Sequence, residues 1–283
     1  MRNQHSHLIA FAFLVALWIP GPASAAEFEN AIALREVPTK AKFSITPVLG
    51  TDFTVGGDWV ESATETFAVN GTIGGSAVAG GLSISAPSQD FDDVYDRPVS
   101  IGVNVNYGLS SSAEVFGGIH STFARSDEFD AINIDAAGTI DGTAVALNTV
   151  VTGEFDDYHE LGIDGGYRHF FRPGKRLRPY ISGSVGLKHV DYIELDLLHK
   201  PTGIRTDDVK FYDTSTTYTL GLGLGFRYDA SPNIAIGMET GLKYAGDLDE
   251  DDGDISGARS FADTNNSGDK LDIPLMARIN IAF

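Results

Sequence analysis

The chain has 283 residues, with 39 acidic against 20 basic side chains and a formal net charge of −19, a balance that disfavours binding to phosphate backbones. It contains no cysteine, which excludes disulfides, thiolate metal sites and a lipid-attachment cysteine. Glycine is abundant, at 32 residues, and mean hydropathy is near zero (−0.04), so the placement of apolar residues along the chain matters more than their number.

The first element is an address. Arg2 supplies a positive start, "LIAFAFLVALWI" is a 12-residue apolar run, and "PGPASAA" places Ala23-Ser24-Ala25 in the small-residue pattern of a cleavage site. Residues 1–25 therefore read as a secretory signal peptide, since a spanning helix needs roughly 18–20 apolar residues. Residues 26–40 are too few for a domain and read as a periplasmic lead-in.

Eight segments with period-two alternation follow. "KFSITPVLGTDF" has Phe43, Ile45, Pro47 and Leu49 on one phase. "RPVSIGVNVNYG" alternates Val99, Ile101, Val103, Val105 and Tyr107 with Ser100, Gly102, Asn104 and Asn106. "AEVFGGIHSTFA" is noisier. "HELGIDGGYRHFF" sets Leu161, Ile163, Gly165 and Tyr167 against Gly162, Asp164, Gly166 and Arg168. "PYISGSVGLKHV" sets Ile181, Val185 and Leu187 against Ser182, Ser184, Gly186 and Lys188. "YTLGLGLGFRY" is the cleanest, with Leu220, Leu222, Leu224 and Phe226 against glycines and Arg227. "NIAIGMETGLKY" follows, and "KLDIPLMARINIAF" carries the pattern to Phe283. Each segment is about 9–13 residues long, near the roughly 9–11 that a tilted strand needs to cross a bilayer and longer than the 5–6 typical of soluble domains.

The connections alternate between short (109–112, 172–178, 229–233) and long (roughly 54–94, 126–157, 192–216 and 246–269). The four long ones hold 27 of the 39 acidic residues and 4 of the 20 basic ones, whereas one short turn carries Arg172, Lys175, Arg176 and Arg178. Aromatic residues fall near strand ends in two sets. Phe43, Tyr107, Phe171, Tyr228 and Phe283 lie at one rim, and Phe53, Phe123, Tyr218 and Tyr244 at the other, as amphipathic rings do at membrane interfaces. An all-β fold follows: a closed antiparallel transmembrane β-barrel of eight strands over 41–283, with short periplasmic turns and long acidic extracellular loops. Closure also explains a strand that runs to the chain end, because an open edge in lipid leaves N–H and C=O groups unsatisfied.

On these features the chain resembles the small eight-stranded bacterial outer-membrane barrels, a group that includes the OmpA transmembrane domain, OmpX-like proteins and opacity-type surface antigens. The resemblance covers nearly all of 41–283 and rests on strand count, loop alternation and terminal Phe283 after Ile279 and Ile281. It implies that Phe283 is an assembly signal read by the barrel-assembly machinery, that periplasmic chaperones deliver the chain, and that outer-membrane lipid and lipopolysaccharide surround it as a monomer. No peptidoglycan-binding domain is expected after Phe283.

The inward phase carries Lys42, Arg168, Lys188, Arg227, Lys243 and Arg278 with Glu114, Asp164, Glu239 and Asp272. Isolated charges in a low-dielectric interior are costly, so these residues are expected to pair into a structural network that plugs the lumen. A narrow pore lined by the same charges is the rival, and the inward Gly221, Gly223 and Gly225 leave room for a cavity. Some barrels of this size hydrolyse lipid A with a lipid-facing His and Ser two residues apart. Here His120 shares its face with Thr122 rather than Ser121, and that face points inward unless a bulge at Gly117-Gly118 shifts the phase. The loop "DLDEDDGDISG" fails the EF-hand spacing, leaving weak divalent binding at Asp247, Asp249, Asp251, Asp252 and Asp254 as the cofactor expectation. Two loop segments, "TFAVNGTIGGSAVAGGLSIS" and "INIDAAGTIDGTAVALNTVV", read as hairpins rising above the membrane whose edges suit strand addition by an extracellular partner. The alternative is that they cross the membrane as extra strands. The role expected is non-enzymatic: envelope integrity and surface interaction of an adhesin or antigen type. A narrow porin or carrier for small solutes or lipophiles is the alternative, and a lipid A-modifying enzyme ranks last.

Overall fold

The computed structural model describes residues 43–249, 264–265 and 268–283. The signal-peptide and lead-in assignments, Lys42, Asp251, Asp252 and Asp254 lie outside the described residues. In chain order the elements are β1 (Phe43–Gly56), β2 (Asp58–Val60), β3 (Ala63–Ile73), β4 (Ser76–Ala86), β5 (Gln89–Asp90), α1 (Phe91–Val94), β6 (Val99–Gly108), β7 (Ala113–Ala124), β8 (Phe129–Ile140), β9 (Thr143–Phe155), β10 (Tyr158–Phe170), β11 (Leu177–Val190), β12 (Ile193–His199), β13 (Ile204–Tyr212), β14 (Ser215–Asp229), β15 (Ile234–Ala245) and β16 (Lys270–Ala282).

Eight of these strands form a closed antiparallel barrel in the order β1-β16-β15-β14-β11-β10-β7-β6. They are the eight that alternation picks out. Closure runs through β1, which pairs with β6 from Phe43↔Tyr107 to Thr51↔Val99 and with β16 from Ser44↔Ala282 to Gly56↔Leu271. The last backbone N–H, that of Phe283, donates to the carbonyl of Phe43 at 3.1 Å. Every barrel strand thus has a neighbour on both sides, and no edge remains for lipid to contact.

The outer face is a continuous apolar belt. Ile45, Leu49, Ile101, Val105, Ile119, Leu161, Ile163, Val185, Leu220, Leu222, Leu224, Ile236, Leu242 and Ile279 are all exposed, and Leu222 shows 70% of its surface. In water such a surface would be unstable; against acyl chains it is the expected one. Closure and the belt together make this chain an eight-stranded membrane-spanning β-barrel.

The inner face is polar. The β14 glycines leave room as the sequence suggested, for Gly221 and Gly223 line an internal cavity, and β11 side chains lie close against them. Ser184 Oγ lies 2.4 Å from where a Cβ on Gly221 would sit, Ser182 Oγ 2.2 Å from that of Gly223, and the Tyr180 ring 2.5 Å from that of Gly225. A side chain at these three positions would collide with Ser184, Ser182 or Tyr180 of β11, so glycine is what lets those side chains approach β14.

The long connections do not cross the membrane. Three of them form hairpins, β3-β4, β8-β9 and β12-β13, which join edge to edge into one six-stranded sheet in the order β13-β12-β9-β8-β4-β3. The third hairpin was not legible, because register shifts between Ile193 and Glu194 and between Leu195 and Leu197 break the period-two pattern. On β7 the register with β10 runs unbroken through Gly117-Gly118, so no bulge shifts the phase there.

Candidate functional site

The lumen is organised in two charged layers beneath an aromatic lid. Nearer the periplasmic end, a single chain of ion pairs crosses the barrel. Arg178 Nη2 lies 3.0 Å from Asp229 Oδ1, and Arg227 Nε reaches the same oxygen at 3.1 Å. Arg227 Nη1 contacts Glu114 Oε2 at 3.2 Å, and Arg168 Nη1 contacts Glu114 Oε1 at 2.8 Å. Arg168 Nε and Arg278 Nη2 then share Glu239 Oε2 at 3.5 and 3.2 Å. Six strands supply these seven groups, because residues at matching inward positions of antiparallel neighbours point to the same centre.

Neutral groups complete this layer. Tyr180 Oη donates to Glu239 Oε2 at 2.7 Å, and Ser182 Oγ donates to its other oxygen at 3.2 Å. Asn106 Oδ1 accepts from Arg168 Nη1 at 3.1 Å, and the Arg168 guanidinium lies 4.1 Å above the Phe116 ring. Asn106 and Asn280 both donate to Thr46 Oγ1 at 2.9 Å.

The second layer sits toward the extracellular end around Glu160, which is buried. Tyr158 Oη donates to Glu160 Oε2 at 2.7 Å, while Lys243 Nζ and His120 Nε2 approach Oε1 at 3.4 and 3.6 Å. Lys270 Nζ lies 3.5 Å from Asp272 Oδ2, and Thr54 Oγ1 donates to Asp272 Oδ1 at 2.8 Å. Ser100 Oγ donates to Asp52 Oδ2 at 3.4 Å. Lys188 is wholly buried in the same layer, within electrostatic reach of Glu160, Lys270, Lys243 and Asp272, and its ammonium makes no hydrogen bond to the protein.

Of the residues expected in the lumen, Glu114, Arg168, Arg227, Glu239 and Arg278 thus meet in one chain of contacts. Lys243 and Asp272 pair with residues that the pattern did not single out. Asp164 lines the space between the layers, and Lys42 is outside the described residues. Asp52, Glu160, Arg178, Asp229 and Lys270 are additional lumen groups. Arg178 is a correction: the sequence places it in the short basic turn 172–178, but β11 begins at Leu177, so its side chain turns inward and is buried against Asp229. Among the described residues, Arg168, Arg178, Arg227, Arg278, Lys188, Lys243 and Lys270 balance Asp52, Glu114, Glu160, Asp164, Asp229, Glu239 and Asp272 one for one.

Between the layers lies a cavity of about 80 Å³, lined by Ser100, Asn104, His120, Asp164, Ser182, Ser184, Lys243 and Arg278. His120 points into it and Thr122 is buried on the same phase, leaving Ser121 on the opposite face of β7.

The extracellular mouth is closed by an aromatic cluster built from all four long connections. Trp59 is wholly buried at its centre, with ring centroids of Phe91, Tyr212, Tyr95 and Tyr158 at 5.0, 5.2, 5.5 and 5.8 Å. The Tyr212 hydroxyl donates to the Trp59 carbonyl at 2.5 Å. Phe129, Phe155, Ile193, Leu195, Phe211 and Leu248 extend the cluster into the base of the six-stranded sheet. Lys270 ties lid to lumen, its ammonium 4.2 Å above the Phe91 ring and 5.1 Å from that of Tyr158. Such edge-to-face aromatic packing adds about 0.5–1.5 kcal/mol per pair beyond burial. No periodicity announces this lid; the only hint was a tryptophan in the loop text "GGDWVES".

Among the described residues, no group of three or more His, Asp or Glu side chains is placed to hold a metal ion. Asp247 and Asp249 lie at the extracellular rim, and burial together with neighbouring Asp247 and Asp58 raises the carboxyl of Asp269 above its usual range.

No protein family matches the chain by sequence, and no curated protein does. Solved structures do match in fold. Neisserial surface protein A is 11% identical over 85% of this chain and 97% of its own, with a TM-score of 0.38. Ail, the attachment invasion locus protein of Yersinia pestis, is 10% identical over 86% of this chain and 99% of its own, with a TM-score of 0.32. The outer membrane protein OprG of Pseudomonas aeruginosa is 11% identical over 86% of this chain and 97% of its own, with a TM-score of 0.27.

Proposed function

We propose that this outer-membrane barrel is neither a pore nor an enzyme, but a plugged anchor that contributes to envelope integrity and carries a folded extracellular sheet for surface interaction, in the manner of an adhesin or surface antigen. The observation that carries this reading is the double closure of the lumen. A chain of seven paired charges spans it at one level, and a buried tryptophan lid seals it at another. A solute path would have to break charge-assisted hydrogen bonds in a medium where unpaired charges cost several kcal/mol each. An internal cavity of only about 80 Å³ between the two closures does not favour the porin or carrier alternative. The lipid A-hydrolase alternative is disfavoured because His120 and Ser121 fall on opposite faces of β7. The test is single-channel recording of purified protein in planar bilayers. Steady baseline conductance is expected, and discrete openings would overturn the reading.

The remaining assignments belong to the same proposal. Lipopolysaccharide surrounds the acidic crown, and loop carboxylates including Asp247 and Asp249 share divalent cations with it weakly. Phe283, whose side chain is 74% exposed at the periplasmic rim, serves as the assembly signal read by the barrel-assembly machinery. Deleting Phe283 is expected to lower outer-membrane levels several-fold, with periplasmic chaperone-bound or degraded chain in its place. Immunoblots of fractionated cells check this, and unchanged levels would remove that role.

A further inference from the structure

The two free edges of the extracellular sheet are built differently. At one edge, β13 reads "IRTDDVKFY" and carries Arg205, Asp207, Asp208 and Lys210 in nine residues. Its pairing with β12 contains two register shifts, Asp208 has a positive φ of 60°, and Arg205 forms ion pairs with Asp196 and Asp207. Charges and bulges of this kind are how edge strands avoid pairing with other chains. At the other edge, β3 reads "ATETFAVNGTI": eleven residues with no proline and Glu65 as the one charge. Its register with β4 runs unbroken from Ala63↔Ala86 to Ile73↔Ser76. Among the described residues nothing pairs with its outer side, so that side presents a straight ladder of free N–H and C=O groups.

The side chains along this edge add to its backbone. Register places Phe67 beside Leu82, then Ala136 and Leu147, and places Val69 beside Gly80, then Gly138 and Val145. These rows form one apolar face, which near the barrel merges into the buried lid but farther out is open, with Phe67 41% and Leu147 57% exposed. A groove of about 280 Å³ runs across it. Its floor is low because Gly80 and Gly138 lie directly opposite each other, and a Cβ on either would come within 2.8 Å of the other's Cα. Two residues before Phe67 on the same face, Glu65 Oε2 is shielded from solvent and has no hydrogen-bond partner among the described residues.

We propose that β3 is the docking strand for an extended segment of another extracellular protein. The segment adds as a seventh strand, lays alternate apolar side chains beside Phe67 and Val69, and brings a lysine or arginine to Glu65. The free backbone ladder selects an extended polypeptide, the apolar face selects alternation, and the lone carboxylate on a chain of net charge −19 selects a basic rather than an acidic segment. This rests on the sheet being an exposed platform outside the membrane, but it is independent of whether the lumen conducts.

The test uses the full-length protein in lipid nanodiscs and a synthetic probe, the peptide Ser-Val-Thr-Val-Thr-Lys-Thr, whose alternation places its lysine against Glu65 when its first valine meets Val69. Hydrogen exchange should show new protection along β3 and none along β13. A peptide with glutamate in place of lysine should bind at least tenfold more weakly, and one N-methylated at alternate backbone nitrogens should not protect β3. Glu65→Gln should erase the discrimination between the lysine and glutamate peptides, a readout that stands even where a second variant, Val69→Lys, fails to fold. Absence of β3 protection, or equal protection of β13, overturns the proposal. So does sedimentation that shows the protein dimerising through β3 in the absence of peptide, since the occupant is then a second copy. Conductance recorded on the same preparation reports separately on the plugged-anchor reading.

Discussion

Replacing Arg168 with methionine is expected to destabilise the folded barrel by ~3–5 kcal/mol, the usual cost of removing one partner from a buried ion pair. Arg168 is the middle of the inner chain of contacts, the one residue that joins Glu114 to Glu239. Methionine keeps most of the volume and the contact with the Phe116 ring, so the loss is electrostatic. It leaves Glu114 with Arg227 alone and Glu239 with Arg278 alone, and Asn106 loses its donor. Urea unfolding in lipid vesicles checks the size. The double variant with Glu239→Gln should lose less than the two single losses summed, because the two sites share a contact and their effects are not additive. A loss below about 1 kcal/mol would mean that water reaches these charges and screens them, as at exposed pairs.

Leu222→Arg is the second large effect, at ~2–4 kcal/mol for a lipid-facing position at mid-depth. Leu222 sits in the middle of β14, flanked on its row by Gly183 and Leu242, and is the most exposed leucine of the belt. The sign of this prediction separates solvents. In a water-soluble sheet, a leucine 70% exposed tolerates substitution within about 0.5 kcal/mol. In a bilayer the same change puts a charge among acyl chains. Unfolding of the variant and parent in the same vesicles decides, and a neutral result would place this face in water.

The parts of this molecule that obey a short period were legible in its sequence. Barrel strands repeat every two residues for ten or more residues, and "YTLGLGLGFRY" could belong to little else. The lumen was partly legible for the same reason. Arg168, Arg227 and Glu239 sit mid-strand, where the phase is secure, whereas Arg178, Asp229 and Lys270 sit at strand ends, where the turn boundary decides inside from outside. Glu160 shares the phase of Gly162 and Asp164 and was within reach of the same argument carried one step further back. The lid was not legible at all. Trp59, Phe91, Tyr158 and Tyr212 come from separate stretches of chain, and only their assembly over the mouth makes them a cluster. The pairing of three hairpins into one sheet is a long-range fact of the same kind, and the β12-β13 hairpin was further hidden by its bulges.

One measurement addresses lipid outside and a closed polar interior together. The chain has no cysteine, so single substitutions along β11 can be read without background. Ile181 and Val185 face the belt, whereas Ser182 and Ser184 line the internal cavity. Cysteine at each of the four is exposed, in reconstituted protein, to a small water-soluble cationic thiosulfonate and to a lipid-soluble maleimide. The expected result is labelling of Ile181→Cys and Val185→Cys by the maleimide alone, with Ser182→Cys and Ser184→Cys resisting both. Rapid reaction of Ser182→Cys or Ser184→Cys with the water-soluble reagent would contradict the account, because it would place a continuous aqueous path where paired charges and an aromatic lid are said to stand.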